Sequence, residues 1–294
     1  MLIIKIKNKI KNLLIKHSPL LVLARPIYRL FRPDLFWKEH EDEKFRKYCY
    51  KKFENGEKIL SKSYGKIKVF YEAISPKNYW HLAIGSQHED RFMDWIFENL
   101  IRAGDIVLDI GAHTGMWSIP LAKIVGDSGH VYAFEPEDLG YNAIRRNTKI
   151  NLLNNITVIN MAVTDKEGTT SFYIRPDKDT HSVFEKTTAP SPLGVQRKII
   201  INTSSVDKMI ENGIIKQPDF VKIDVEGAEL MVLNGMKIAA RKIRHVLVEL
   251  HEPTLLKLLG IKNPKSTVER NLKDLGFTTL KYLDDIHVLA SKWK

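Results

Sequence analysis

Acidic and imidazole side chains stand where several short apolar runs of the chain end. Asp109, Glu135, Asp224 and His251 each occupy such a position. Apolar runs of this kind are typical of strands buried on both faces of a parallel sheet, and ligands bind beyond the carboxyl ends of such strands. A carboxylate or imidazole there can hold a ligand or take a proton from a substrate. The sequence therefore predicts that these side chains share one edge of a sheet.

The stretch from Gly104 to Pro136 has the order strand, glycine turn, helix, strand, acid. Its glycine turn begins at Gly111, and Glu135 follows that glycine by 24 residues. This order is typical of a nucleoside pocket in a doubly wound sheet. Gly111 would let the backbone turn sharply and would leave room for a ligand, since it has no side chain. We predict that Glu135 accepts hydrogen bonds from both hydroxyls of a ribose.

The same turn bears on which nucleoside cofactor binds. It departs from the dinucleotide fingerprint G-x-G-x-x-G, because Asp109 precedes it and His113 lies where a middle glycine would be. An acid at this point opposes a pyrophosphate and suits the sulfonium and ammonium groups of S-adenosylmethionine. The sequence favours that methyl donor, and a nicotinamide-dependent oxidoreductase is the alternative.

The chain resembles the FkbM family of S-adenosylmethionine-dependent methyltransferases in three strings, VLDIGAHTG, AFEP and FVKIDVEGAEL. The IDVEGAE part is the most specific, and the family usually has asparagine where this chain has His113. The resemblance implies a Rossmann-like class I methyltransferase fold and O-methylation of a hydroxyl on a sugar or natural product. It also implies that Ala162 and Val163 lie beside the adenine. The complete set of expected cofactor-binding residues is Asp109, Gly111, Ala112, His113, Gly115, Glu135, Pro136, Ala162 and Val163.

Two residues are candidate bases for the acceptor hydroxyl, Asp224 and His251. A positioned base adds on the order of 10²- to 10⁴-fold to such a reaction. Alternatively, Asp224 caps the helix expected to start near Gly227. Asp224 with Glu249 or Glu252 could also hold a Mg²⁺ ion, since Mg²⁺ prefers carboxylate oxygens. The sequence does not favour that arrangement, and we assign no metal ligand from it.

A long irregular loop, residues 175–197, lies between two expected strands and is the predicted binding region for the methyl acceptor. The loop contains three prolines, and irregular loops near pockets often serve as lids or substrate sieves. We predict that His181 in this loop and Glu226 contact the substrate, although a lone histidine in such a loop is more often an ordinary surface residue.

Nucleic-acid substrates are disfavoured by what the motifs lack. Amine methylation of adenine needs an N/D-P-P-Y type of turn, whereas this chain continues from Asp224 as Val-Glu-Gly. Methylation of cytosine carbon needs a thiol near the pocket, and the only cysteine, Cys49, lies far upstream. That single cysteine also fits a reducing compartment. We therefore expect a glycan or glycolipid acceptor and no specific nucleic-acid partner.

The net charge of +11 is concentrated at one end of the chain. Residues 1–33 contain eight lysines and arginines and no acid. Residues 1–16 sort into an apolar stripe and a lysine face at helical spacing, which is typical of a helix lying on anionic lipid or packing on a domain. No apolar run reaches the length of about 18 residues that a spanning helix needs. The prediction is a cytoplasmic protein with peripheral contact to the inner membrane face, which co-sedimentation with anionic liposomes would test.

These elements define an α/β fold, a seven-stranded and mostly parallel sheet that ends in an antiparallel hairpin. The third strand is expected at Ile156 to Val163. We predict a basic helical extension at 1–37, an accessory helix and strand segment at 38–85, and the methyltransferase domain at 86–294. A membrane-docked binding module that keeps this fold without turnover is a second alternative.

Overall fold

The computed structural model describes residues 33–84, 89–174, 182–184, 197–251 and 260–292. The amphipathic segment 1–16, His181 and Glu252 lie outside the described residues, so the predictions made for them stay predictions. The chain divides into two compact units, residues 1–51 and 52–294. Within the described ranges, none of the helices has the length and apolar character required to cross a bilayer.

The described elements alternate between helices and strands for most of the chain. The helices are α1 (Pro33–Glu54), α2 (Pro76–Ile84), α3 (Glu89–Asn99), α4 (Ser118–Val125), α5 (Asp138–Ile150), α6 (Val206–Glu211), α7 (Glu229–Asn234) and α8 (Pro264–Asp274), with a 3₁₀ turn at Ala239–Arg241. The strands are β1 (Ile59–Tyr64), β2 (Ile67–Glu72), β3 (Ile106–Ile110), β4 (His130–Phe134), β5 (Ile156–Ile159), β6 (Ala162–Val163), β7 (Gly168–Ile174), β8 (Ser182–Phe184), β9 (Arg197–Ser204), β10 (Phe220–Ile223), β11 (His245–Glu249), β12 (Thr279–Tyr282) and β13 (His287–Ser291).

Seven strands form the central sheet in the order β12-β13-β11-β10-β3-β4-β5. Strand β13 runs antiparallel to its neighbours β11 and β12. The remaining neighbouring pairs, β11–β10, β10–β3, β3–β4 and β4–β5, are parallel. This confirms the predicted class I methyltransferase fold with its C-terminal hairpin. The central strands are apolar and buried because helices cover both faces of the sheet. The strand order reverses between β3 and β10, and ligands of open α/β sheets bind at such a switch point.

The expected third strand is shorter than predicted. It ends at Ile159, and β6 instead joins a second sheet of order β6-β9-β7-β8. The break lies at Asn160, whose amide donates to the backbone oxygens of Glu135 and Pro136 at 3.1 and 3.2 Å. These two hydrogen bonds hold the chain against the residues that follow β4, at the point where β5 has ended.

Candidate active site

The glycine turn after β3 has an unusual backbone conformation at three alternate residues. Gly111, His113 and Gly115 have φ angles of 82°, 53° and 85°. The N–H groups of Gly111 and Ala112 both donate to the carbonyl oxygen of Phe134, at 3.0 and 2.9 Å, which ties the turn to β4. Histidine and asparagine are both enriched in the left-handed region among non-glycine residues. The histidine of this chain and the asparagine usual at this position therefore satisfy the same backbone requirement.

Gly111 has a different role from the one that the sequence suggested. A Cβ atom built on it would lie 1.7 Å from the carbonyl oxygen of Asp224. The space beside Gly111 is therefore occupied by the end of β10 and does not receive a ligand. The absence of a side chain allows β3 and β10 to approach each other at the switch point, and the left-handed φ allows the turn.

Glu135 lies at the end of β4 with its carboxylate against the glycine turn. Its Oε2 accepts a hydrogen bond from the N–H of His113 and its Oε1 accepts one from the N–H of Glu137, both at 2.9 Å. The residue is only 9% exposed. A carboxylate has about four lone-pair sites, so two remain for further donors such as the hydroxyls of a ribose. The backbone thus fixes Glu135 in one orientation beside the turn.

Burial changes the acidity of this carboxylate. Desolvation raises the pKa of Glu135 to about 8, against the lowering effect of the hydrogen bonds from Glu137 and His113. Helix α5 contributes to the burial, since a Cβ on Gly140 would lie 2.9 Å from Cγ of Glu135. Gly140 is a site residue that the sequence analysis missed, because no local pattern shows that α5 crosses this point.

Asp109 supports the site from inside the sheet. Its side chain is fully buried, accepts a hydrogen bond of 2.5 Å from Oγ of Ser118 and lies 3.7 Å from Nζ of Lys222. The same ammonium donates to Oδ2 of Asp224 at 2.9 Å. A carboxylate without exposed surface does not contact a ligand directly, so the predicted cofactor contact of Asp109 is replaced by a structural ion pair. Lys222 was missed because it lies within an apolar run.

The hairpin β1–β2 is attached to the glycine turn through Asn147 of α5. The amide of Asn147 accepts from the N–H of Glu72 at 2.7 Å and donates to the carbonyl oxygen of Thr114 at 2.8 Å. One turn later, Asn151 both accepts from the N–H of Phe70 and donates to its carbonyl oxygen. The accessory hairpin is therefore connected to the glycine turn by hydrogen bonds through α5.

Replacing Asn147 with alanine should destabilise the protein by about 2–4 kcal/mol, because it leaves a buried acceptor and a backbone donor without their partner. The loosened turn should also bind its ligand more weakly. Asn142→Ala is the matched control, since Asn142 lies exposed on the same helix and its amide donates only to the carbonyl oxygen of Asp138 in the described contacts. Urea unfolding of the two variants measures the difference, and equal midpoints would contradict the role of Asn147.

A second group of polar side chains gathers at the ends of β10 and β11. Nε2 of His251 lies 3.8 Å from Oδ1 of Asp224, 3.8 Å from Oε2 of Glu226 and 3.7 Å from Oε1 of Glu249. Its Nδ1 donates to Oε1 of Glu229 at 2.6 Å. The structure thus brings together the two predicted bases and the predicted substrate residue Glu226.

These neighbours shift the acidity of both candidate bases. Burial lowers the pKa of His251, but the hydrogen bond to Glu229 and the charge of Asp224 raise it to about 10. Burial raises the pKa of Asp224, but Lys222 and His251 lower it to about 2. At neutral pH the ligand-free protein therefore carries a cationic imidazole beside the anionic carboxylate of Asp224. The ordinary histidine pKa, on which the prediction for His251 depended, does not apply in this state.

The alternative role of Asp224 as a helix cap is wrong. Helix α7 begins at Glu229 with Ala228 as its N-cap and with no side-chain capping hydrogen bond. Between Asp224 and this helix the chain passes through Glu226, whose φ is 52°. The chain therefore turns at Glu226 before the helix begins, and Asp224 and Glu226 lie at the edge of the sheet.

The remaining predicted cofactor residues are packed in different ways. Ala162 and Val163 pair with β9 and are buried, Val163 in the main core and Ala162 against Phe172. Their contact with adenine stays a prediction. Pro136 is partly exposed directly after Glu135, and Gly115 packs near Ile144.

Comparison with known proteins decides the family. A model described as the methyltransferase FkbM domain matches residues 109–262, just over half of the chain. The chain belongs to the FkbM methyltransferase family. The matched range contains the glycine turn, Glu135 and the cluster around His251, so the site described above lies within the FkbM domain.

Two relatives are similar in sequence to part of this FkbM chain. The hexuronic acid methyltransferase AglP of Haloferax volcanii is 29% identical over 149 residues, which are 50% of this chain and 56% of AglP. The 31-O-demethyl-FK506 methyltransferase FkbM of Streptomyces tacrolimicus is 27% identical over 229 residues, covering 65% of this chain and 82% of that protein. The chain thus spans only about half the length of AglP.

Solved methyltransferase structures are similar at a low level. An O-methyltransferase from Thermotoga maritima, described as SAM-dependent, has a TM-score of 0.41 and 13% identity, covering 69% of this chain and 64% of that one. The TYW2 protein of M. jannaschii, in complex with AdoMet, has a TM-score of 0.39 and 14% identity, covering 80% and 85%.

Proposed function

We propose that this protein is an S-adenosylmethionine-dependent O-methyltransferase that acts on a hydroxyl of a sugar, glycan, glycolipid or similar natural product. The observation that carries the proposal is the placement of Glu135. Its carboxylate is fixed by two backbone N–H groups beside a left-handed glycine turn, next to the switch point of a methyltransferase-type sheet. Membership in the FkbM family supports the same cofactor.

The cofactor would lie along the carboxyl ends of β3 and β4. Glu135 binds the two ribose hydroxyls, and the turn from Gly111 to Gly115 borders the methionine side. The adenine lies toward Ala162 and Val163. A cofactor held in this way would present its methyl group to the end of β10, where Asp224 and its neighbours lie. Much of the catalysis then consists of holding the acceptor oxygen in line with the methyl–sulfur bond, at about 3 Å from the carbon.

The acceptor class is inferred from two sources. The relative AglP acts on a hexuronic acid, as its name states. The cluster at the ends of β10 and β11 contains the hydrogen-bond acceptors Asp224, Glu226 and Glu249, which suit the hydroxyl donors of a sugar. Asp224 and His251 are the residues that we place nearest to the reacting hydroxyl.

The experiment that tests the proposal combines binding and transfer. Calorimetry should show S-adenosylmethionine binding to the full chain, whereas NADH should give neither heat nor a thermal shift. Incubation with methyl-labelled cofactor and pools of nucleotide sugars, glycans and glycolipids should then label a sugar hydroxyl. Binding without transfer to any pool would favour the non-catalytic binding module, and a thermal shift with NADH alone would favour the oxidoreductase.

A further inference from the structure

The side chains of Asp224, Glu249 and His251 converge on one point at the open edge of the sheet. Each offers one potential ligand atom, and the three atoms lie within 4.8 Å of one another. Nε2 of His251 lies 3.8 Å from Oδ1 of Asp224 and 3.7 Å from Oε1 of Glu249. Adjacent ligands of an octahedral Mg²⁺ or Mn²⁺ ion, each at about 2.1 Å from the metal, lie about 3 Å apart. These two separations therefore need to shorten by about 0.7 to 0.8 Å for one ion to be coordinated.

In Asp224 and Glu249, the carboxylate oxygen that does not face His251 contacts a buried side chain. Oδ2 of Asp224 accepts from Lys222, and Oε2 of Glu249 contacts Nε2 of His287 at 3.2 Å. Lys222 and His287 are 4% and 3% exposed. In both carboxylates the other oxygen is the one that faces His251. Each carboxylate is thus oriented by an outer contact, with its second oxygen directed at the common point.

The imidazole of His251 is oriented in the same way. Its Nδ1 donates to Oε1 of Glu229, which is fully buried and also accepts from the N–H of Gly227 at 2.9 Å. Nε2 then faces the carboxylates at 3.7 to 3.8 Å, which is too long for a hydrogen bond. Metal-binding histidines usually donate their second ring N–H to a carboxylate or carbonyl in this manner. The outer contacts therefore match those that metal ligands usually make.

We propose that Asp224, Glu249 and His251 form a site for a hard divalent cation, Mg²⁺ or Mn²⁺, that binds the acceptor hydroxyl. Two carboxylate oxygens and one imidazole nitrogen supply three positions, and water and the hydroxyl complete the set. Sequence reasoning considered Asp224 with Glu249 but did not include His251, because only the fold brings its Nε2 to the same point.

The catalytic part of this inference rests on the proposed function. Bound to the cation, the hydroxyl loses its proton to solvent water more readily. The resulting oxygen anion attacks the methyl carbon, forming the O–C bond as the S–C bond breaks. The electron pair of the S–C bond stays on sulfur, which turns the sulfonium into the thioether of S-adenosylhomocysteine.

Titration of the full chain with Mn²⁺, followed by electron paramagnetic resonance, tests the ion site without cofactor or acceptor. We expect one ion per chain with a dissociation constant below about 1 mM. Asp224→Asn and Glu249→Gln should each weaken binding at least tenfold. Glu229→Gln, which removes the charge of the residue that orients His251 and changes none of the three proposed ligands, should weaken it about 10- to 100-fold. Asp127→Asn is the control, because Asp127 is exposed in the turn before β4, at the opposite edge of the sheet.

The outcomes separate this inference from the proposed function. Absence of Mn²⁺ binding at 1 mM, or equal binding by wild type and both folded ligand variants, overturns the ion site. Methyl transfer at full rate in excess EDTA would remove the catalytic role of the ion and leave the proposed function intact. Stoichiometric binding lost in the ligand variants supports the site even where no methyl transfer is detected. Circular dichroism confirms that each variant is folded.

Discussion

Replacing Glu135 with alanine should weaken the binding of S-adenosylmethionine by about 10- to 100-fold, the scale expected for lost hydrogen bonds to a charged group. The carboxylate is the acceptor that we assign to both ribose hydroxyls, and the backbone N–H groups of His113 and Glu137 fix its position. The substitution removes these acceptors and leaves both N–H groups without their partner. Calorimetry at constant salt measures the change.

The pH dependence of the same measurement identifies the ionised carboxylate as the binding form. Since burial raises the pKa of Glu135 to about 8, the ligand-free protein holds a proton there below pH 8. Binding that requires the carboxylate must release this proton, so the affinity of the wild type should rise with pH up to about 8 and then level off. The slope approaches tenfold per pH unit well below the pKa. The ratio of wild-type to Glu135→Ala affinity should follow the same curve.

Asp138→Ala is the control for a general charge effect. Asp138 is exposed in the first turn of α5, close in sequence to Glu135. Its removal takes away one negative charge near a cationic cofactor but should leave the affinity within about twofold, because exposed charges are screened by solvent. Loss of affinity in Asp138→Ala equal to that in Glu135→Ala would show that Glu135 does not bind the ribose. A ratio that does not change with pH would show that binding does not require Glu135 to lose a proton in this range.

Much of the fold could be predicted because its signals are local. Apolar runs with turn residues at both ends placed β3, β4, β10 and β11, and the final two runs predicted the hairpin of β12 and β13. The acid after β4 was identified as a ligand group for the same reason, since strand ends of a parallel sheet lie at one edge. The run after Asn155 was extended furthest beyond the observed strand, which ends at Ile159 instead of Val163.

The parts that could not be predicted depend on contacts between distant segments. Lys222 pairs with Asp109 because β10 lies beside β3 in a register that places the two residues opposite each other. That ion pair neutralises the acid from which a cationic ligand was inferred. The preference for S-adenosylmethionine now rests on the strand order and on the family. The geometry around His251 likewise depends on the register of β10 and β11, which spacing along the chain does not reveal.

Among the glycines for which the structure describes the surroundings, Gly111 has the least room for a methyl group, so Gly111→Ala should have a large effect on stability. Gly111→Ala should destabilise the protein by more than about 4 kcal/mol, a magnitude that indicates a specific defect rather than an ordinary substitution. Part of the cost comes from the φ of 82°, which is unfavourable for an L-residue by about 1–2 kcal/mol. The greater part comes from the added Cβ, which would lie 1.7 Å from the carbonyl oxygen and 2.8 Å from the carbonyl carbon of Asp224.

Both clashing atoms belong to the backbone, so no side-chain rotation relieves the contact. The end of β10 must move away from β3, which stretches the hydrogen bond from the N–H of Asp224 to the carbonyl oxygen of Ile110, now 3.0 Å. Gly213→Ala separates the two causes, because Gly213 has a similar φ of 69° with no atom within 4 Å of the added Cβ. Urea unfolding should give a free energy of unfolding about 1–2 kcal/mol below that of the wild type for Gly213→Ala. For Gly111→Ala it should be more than about 4 kcal/mol below that of the wild type. Equal unfolding midpoints for the two variants would mean that β3 and β10 are not in contact at the switch point, and the placement of Asp224 beside the cofactor would fail with it.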